Sequence, residues 1–127
     1  MVTVKLNYIR HSAKKLRPIA RLMLGKNVDW AINTTAVMSQ DSAGFVNKLL
    51  KMASAAASQK ELDPSKMVIG EMMATEGPKI KRMRPNARGR SNKYQKHLAH
   101  LTITLKAAPA DKKAKPAPKT KAKKESK

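Results

Sequence analysis

Lys79, Lys81, Arg82, Arg84, Arg88, Arg90, Lys93 and Lys96 fall within one short stretch, and no carboxylate stands between Gly77 and Ala110. Arginine offers a planar fork that matches phosphate oxygens two at a time, and lysine offers a compact charge. A salt-bridged surface helix interleaves acids with such bases. This stretch does not, so its counter-charge lies on another molecule, a polyanion. Other chemistries find no support. The eight acidic residues are scattered with no pair placed for acid–base work, and no Ser/His/Asp grouping or glycine-rich phosphate loop occurs. With no cysteine, disulfides and thiolate metal sites are excluded. His97 and His100, three apart on a strand, point to opposite faces and have no nearby carboxylate to complete a metal site. His100 reads instead as a hydrogen-bonding or nucleic-acid contact. The expectation is a binding protein, with no catalysis, no cofactor and no metal.

These cations need an element to hold them. Leu101, Ile103 and Leu105 alternate with Thr102, Thr104 and Lys106, the period of a half-buried strand. Met67 to Met73 is short, apolar and free of proline, and reads as another. Pro78, Pro85 and Gly89 argue against a helix between them. The spacing predicts a long β-hairpin extension over about residues 78–97, its tip near Pro85 to Asn92. Each arm beyond Gly77 would reach about 25–30 Å. A two-stranded ribbon so far from a core is not stable alone, which again demands a partner. At the tip, Arg88 and Arg90 flank Gly89, the residue free to take positive φ and to turn where a Cβ has no room.

The body must anchor that hairpin. Val2, Val4, Leu6 and Tyr8 alternate as a first strand. Ser12 suits a helix N-cap, Leu16, Ile19, Ala20 and Met23 recur at helical spacing, and Gly25 suits C′. Pro18 should kink this helix or push its start later. A short helix is expected over Trp30 to Met38, with Trp30 a packing residue. Ser39 or Asp41 starts the longest helix, running to Lys60 with Ala43, Val46, Leu49, Leu50, Ala53 and Ala57 on one stripe. Its small lower half, Ala53 to Ala57, invites close approach of a sheet. Met72, Met73 and Met83 read as core fillers. The expected core is Val4, Leu6, Leu16, Ile19, Met23, Ile32, Val46, Leu49, Leu50, Ala53, Ile69, Leu101, Ile103 and Leu105. The fold class is α+β: three helices packed on a small antiparallel three-stranded sheet, with the basic hairpin extending from it.

Charge divides the chain in the same way. Of 28 Lys+Arg and 8 Asp+Glu, residues 1–76 hold 11 and 6, residues 77–106 hold 9 and none, and residues 107–127 hold 8 and 2. Residues 1–106 therefore read as a single nucleic-acid-binding domain. Residues 107–127, with nothing apolar larger than alanine or proline, read as a disordered tail that adds non-specific affinity. No stretch is apolar enough to span a membrane, and Met1 to Leu6 lacks a signal-peptide run, so a cytoplasmic protein is expected. The formal net charge of +20 also suits a DNA-compacting protein. That class uses apolar wedges in the minor groove, and the hairpin tip has none.

The run Glu76-Gly77-Pro78, Lys81-Arg82, Pro85, Ala87-Arg88-Gly89-Arg90, Lys96 and His100 resembles the bacterial-type large-subunit ribosomal protein twenty-two family. Upstream, Ser12-Ala13-Lys14-Lys15, Arg17, Ala20 and Gly25-Lys26 carry the same resemblance, which covers residues 8–106. It implies a structural constituent of the large subunit, in the cytoplasmic ribosome. The globular end would lie on the outer surface, and the hairpin would thread through ribosomal RNA to line the nascent-peptide exit tunnel. The implied partners are large-subunit ribosomal RNA, neighbouring large-subunit proteins and the nascent polypeptide, with no membrane. Lys79, Lys81, Arg82, Arg84, Lys93 and Lys96 would face RNA along the arms. Arg88, Gly89 and Arg90 match the tip, and Lys14, Lys15, Arg17 and His100 are further implied RNA contacts. The chain departs from the family pattern at Asn86, where a basic residue is usual, at Met52 and Ala56, at Leu98-Ala99, and at Tyr94, which replaces an aliphatic residue.

Overall fold

The computed structural model describes residues 1–107. Strand β1 (Val2–Ile9) is followed by helices α1 (Ala13–Met23), α2 (Val28–Val37) and α3 (Asp41–Ser58), then by the long strands β2 (Met67–Pro85) and β3 (Ser91–Ala107). The sheet order is β1-β3-β2, antiparallel throughout. The central strand β3 is the last one made, so the sheet closes only when both ends of the chain meet. Helices α1 and α3 lie against the sheet, and α2 packs chiefly on α3. The expected α+β arrangement is the observed one. The tail expected over residues 107–127 lies outside the described residues beyond Ala107.

Leu16, Met23, Val46, Leu49, Leu50, Ala53, Ile69, Leu101, Ile103 and Leu105 are fully buried, as the apolar stripes require. Gly25, at φ +72°, ends α1 where expected, and its N–H donates to Ile69 O at 2.9 Å, tying the helix end to β2. Pro18 does not delay α1, which starts at Ala13 and continues through it. Proline has no N–H to offer back along the helix, and Pro18 is exposed, so the position is open to solvent. Helix α2 begins two residues before Trp30, and the buried side is Val28, Ala31 and Thr35. Trp30 is not a packing residue: it is 45% exposed, with the Lys26 ammonium 5.3 Å from its ring centre. Thr35 is buried but satisfied, its hydroxyl donating to Ala31 O at 2.8 Å and accepting from Asn47 Nδ2 at 2.9 Å. That clasp joins α2 to α3. At the turn into β2, Lys66 sits 2.8 Å from Asp63 and holds its carboxyl below the usual carboxylate range. Both groups are exposed, so the pair orients the turn more than it stabilises it.

Three bulges break the simple alternation of the strands, and the first two correct expectations. In β1 the pairing slips between Leu6 and Ile9, and Tyr8 takes φ 55°. Tyr8 therefore points out, 65% exposed, while Ile9 turns in; Val4 and Leu6 are half-buried. In β2 the slip at Gly70 reverses the parity, so Met72 and Ala74 are buried and Met73 is half-exposed. Met83, far out on the hairpin, is 67% exposed and fills no core. The third slip, between Glu76 and Lys79, contains Gly77-Pro78 and stands where the hairpin leaves the body. Proline cannot donate to a ladder, and a bulge is where that is tolerated.

Gly77 and Gly70 differ in what a side chain would meet. A Cβ at Gly77 would lie 3.0 Å from His100 Nε2 and 3.2 Å from the Leu98 backbone. At Gly70 its three nearest neighbours would all be stem atoms of Lys106, the closest at 2.6 Å. A lysine stem moves aside and a sheet backbone does not. Gly77→Ala is expected to cost about 1–3 kcal/mol, and Gly70→Ala less than half of that. Urea unfolding of the two variants checks the order; equal losses would mean that the third bulge is not sterically closed.

Candidate nucleic-acid interface

The arms are built by the pairing register. Lys79 pairs with His97, Lys81 with Gln95 and Met83 with Lys93, while Ile80 pairs with Lys96, Arg82 with Tyr94 and Arg84 with Asn92. Partners directly opposite share a face, and alternate pairs take opposite faces. The six arm cations therefore divide evenly. Lys79, Lys81 and Lys93 project from one face of the ribbon, and Arg82, Arg84 and Lys96 from the other. All six are exposed, and of the residues from Lys79 to Pro85 and Ser91 to His97 only Ile80 is partly covered. A ribbon lying on a flat polyanion needs charge on one face. This one carries it on both.

Internal partners do little to neutralise that charge. Among the described residues the ion pairs are Lys66–Asp63 and a long contact of 3.9 Å between Lys79 Nζ and Glu76 Oε2, both side chains exposed. The latter is worth little in water. Arg82 donates to Lys81 O at 3.1 Å, and Arg84 lies 5.8 Å from the Tyr94 ring centre.

The tip is a five-residue turn, Asn86 to Arg90, closed by Asn86 N–H donating to Arg90 O at 2.7 Å. Arg88 itself adopts φ 59°, ψ 36°, and Gly89 follows at φ 68°. The reversal thus uses two left-handed residues where one was expected, and Arg88 does so without glycine's freedom. Nothing lies within 4 Å of a Cβ placed on Gly89. The constraint there is backbone conformation, not the lack of space expected from the sequence.

At the root, the start of α1 faces the hairpin across a cleft of ≈ 620 Å³. Arg10, Lys15, Arg82, Lys96 and His97 surround an apolar floor of Ile80 and Leu98. His11 lines the same cleft, and its Nε2 is buried with no hydrogen-bond partner among the described residues. The structure thus brings Lys15 together with the arm cations. Lys14 lines the adjacent groove beside Gln40 and Asp41. Arg17 is partly committed to the fold, its Nε donating to Ala74 O at 3.4 Å. His100 is more fully committed: Nδ1 accepts from Tyr8 N–H at 3.1 Å, and the Tyr8 ring stands edge-on at 4.9 Å. Sequence reasoning missed Arg10, His11 and His97. The basic pair directly before the Ser12 cap was the available signal, hidden because the first strand was read as a straight alternation.

No helix of the described residues is long and apolar enough to cross a membrane, and no group of His or acidic residues among them could hold a metal ion. The sequence matches the family described as Ribosomal protein L22p/L17e over residues 4–106. The large ribosomal subunit protein uL22 of Desulfosudis oleivorans is 36% identical over 104 residues, covering 82% of this chain and 91% of the relative. That of Clostridium kluyveri is 39% identical over 100 residues, covering 78% and 90%. The match spans the body, both arms and the tip, and it decides against a DNA-compacting protein: this chain belongs to the Ribosomal protein L22p/L17e family, whose members are structural constituents of the large ribosomal subunit.

Proposed function

We propose that the hairpin is embedded between segments of large-subunit ribosomal RNA and that its tip forms part of the wall of the nascent-peptide exit tunnel. As a family member the protein resides in the cytoplasmic ribosome, with ribosomal RNA and neighbouring ribosomal proteins as its partners; the family is one of structural proteins, not of enzymes. The even division of the six arm cations between two exposed faces carries the reading. RNA packed on both sides supplies phosphates to each face and the lateral support that a free ribbon lacks. Lys14, Lys15, Arg17 and His100 would contact RNA at the root. The cleft that Lys15 shares with Arg82 and Lys96 supports that role for Lys15, and Arg17 and His100 also bond to Ala74 O and to the Tyr8 N–H within the fold. A photoreactive residue at Gln95 should crosslink to ribosomal RNA, and one at Arg88 to nascent chains arrested on the ribosome. Crosslinks to proteins alone from Gln95 would reject the RNA part, and silence of Arg88 toward nascent chains would reject the tunnel part.

The tip shapes the passage and the arms hold the protein in the subunit. Arg88→Ala with Arg90→Ala should leave subunit assembly on sucrose gradients normal and shift pausing on sensitive nascent chains in ribosome profiling. Gly89→Val should shift pausing more, because a β-branched residue at φ 68° is a genuine outlier. Failed assembly with normal pausing in the double variant would make the tip an anchor instead.

A further inference from the structure

We propose that Tyr94, with Arg84 and Asn92, forms a stacking site for one unpaired purine of the subunit RNA. The proposal rests on the reading of the arms as RNA-facing and names what one patch of them reads. Tyr94 is the only Phe, Tyr or Trp between Gly77 and Lys106. It lies on the same face as Arg84 and Asn92, and the three line a hollow of ≈ 270 Å³ on the free ribbon, well out from the body. A tyrosine normally buries its ring against a core. This one is 41% exposed, with the Arg84 guanidinium over it, 5.8 Å from the ring centre. Phosphate contact alone does not call for an aromatic ring at that position.

The three groups divide the work of holding a base. The exposed ring offers a π-face to any base, which aromatic stacking accepts without regard to sequence. The guanidinium, already lying over the ring, extends the platform or takes the nucleotide's phosphate. The Asn92 amide has a donor and an acceptor side by side, the pattern that matches the N6/N7 edge of adenine. An A-form helix hides that edge in its deep, narrow major groove, so the base that meets this hollow is splayed out of a loop or bulge. The hairpin then does more than neutralise phosphates: it fixes one nucleotide in position.

The test is chemical probing of RNA in ribosomes assembled with the full-length protein. Four forms are compared: the wild type, Tyr94→Ile, Tyr94→Phe, and a short-arm variant with residues 81–95 replaced by Asn-Gly. Dimethyl sulfate and 2′-hydroxyl acylation report the bases and sugars. The short-arm variant defines the protection that the arms confer. Within that footprint, Tyr94→Ile should raise the reactivity of one unpaired purine by at least about fivefold, the value of one stacked base. Tyr94→Phe should not, because the ring alone stacks. An intact footprint with no such nucleotide in Tyr94→Ile overturns the site and leaves the RNA-facing arms standing. So does a reactivity change spread along the whole footprint, which would make Tyr94 a strut of the hairpin. No footprint in the wild type overturns the site together with the reading beneath it.

Discussion

Affinity for large-subunit RNA should fall by roughly 10⁴–10⁵-fold near 0.1 M salt when Lys79, Lys81, Arg82, Arg84, Lys93 and Lys96 are all changed to glutamine. Each phosphate neutralised releases close to one condensed counterion, about 0.7 for single strands and 0.9 for a duplex. Six contacts then contribute a log–log salt slope of about −4 to −5, and the loss at 0.1 M follows from the same exponent. Glutamine keeps the stems and their hydrogen-bonding capacity while removing charge, so the ribbon's packing is little altered. Fluorescence anisotropy with large-subunit RNA fragments over a potassium chloride series measures both quantities. A loss below tenfold, or an unchanged slope, would mean that the arms are not the electrostatic footprint.

The division into faces sharpens that experiment. Changing only Lys79, Lys81 and Lys93, or only Arg82, Arg84 and Lys96, should each remove about half of the slope. If one set removes nearly all of it, RNA lies on a single face and the ribbon is a surface strip instead of an insertion. The body's own cations serve as a control, since Lys48 and Lys51 are exposed on α3 and line none of the clefts at the hairpin root. Their replacement by glutamine should move the slope by less than the loss of either arm face.

How much of this was legible beforehand is clearest at the strands. The helical stripes Leu16–Ile19–Met23 and Val46–Leu49–Leu50–Ala53 were readable because helix periodicity is uninterrupted in α1 and α3. The basic run and its turn were readable because proline, glycine and the absence of acids are local signals. Parity in the strands was not. A bulge adds one residue and exchanges the two faces, so Tyr8 and Met73 were misplaced by single slips that no alternation pattern announces. Alternation alone separates Lys79 and Lys81 from Arg82 and Arg84, but which of them share a face with Lys93 and Lys96 became visible only with the register beyond the Gly77-Pro78 slip. The same holds for the Arg10–Lys96 cleft, whose two sides, residues 10–15 and 80–98, are separated in sequence by helices α2 and α3. Its assembly depends on β1 pairing with β3 as well as on the hairpin, and that first pairing is one the sequence does not advertise.

Stability should reside in the body, and the hairpin should be dispensable for it. Ile103 is fully buried in the central strand, and Leu49 is fully buried in α3. Either side chain cut to alanine removes buried apolar atoms from a close-packed cluster that relaxes only in part around the void. Each change should cost about 2–5 kcal/mol, lowering the midpoint of thermal unfolding by about 10 °C or more in a domain of this size. The opposite is expected when residues 84–92 are replaced by Asn-Gly, which joins the paired residues Met83 and Lys93 through a two-residue turn. No residue in the deleted segment is buried, and the replacement removes Arg88 from its left-handed conformation. Fewer cations also lessen the self-repulsion of a chain with formal net charge +20. The shortened protein should unfold cooperatively within a few degrees of the parent, with unchanged far-ultraviolet circular dichroism from its three helices. A molten product would show that the tip helps to fold the body, and the separation of anchoring core from RNA-inserted ribbon would then be wrong.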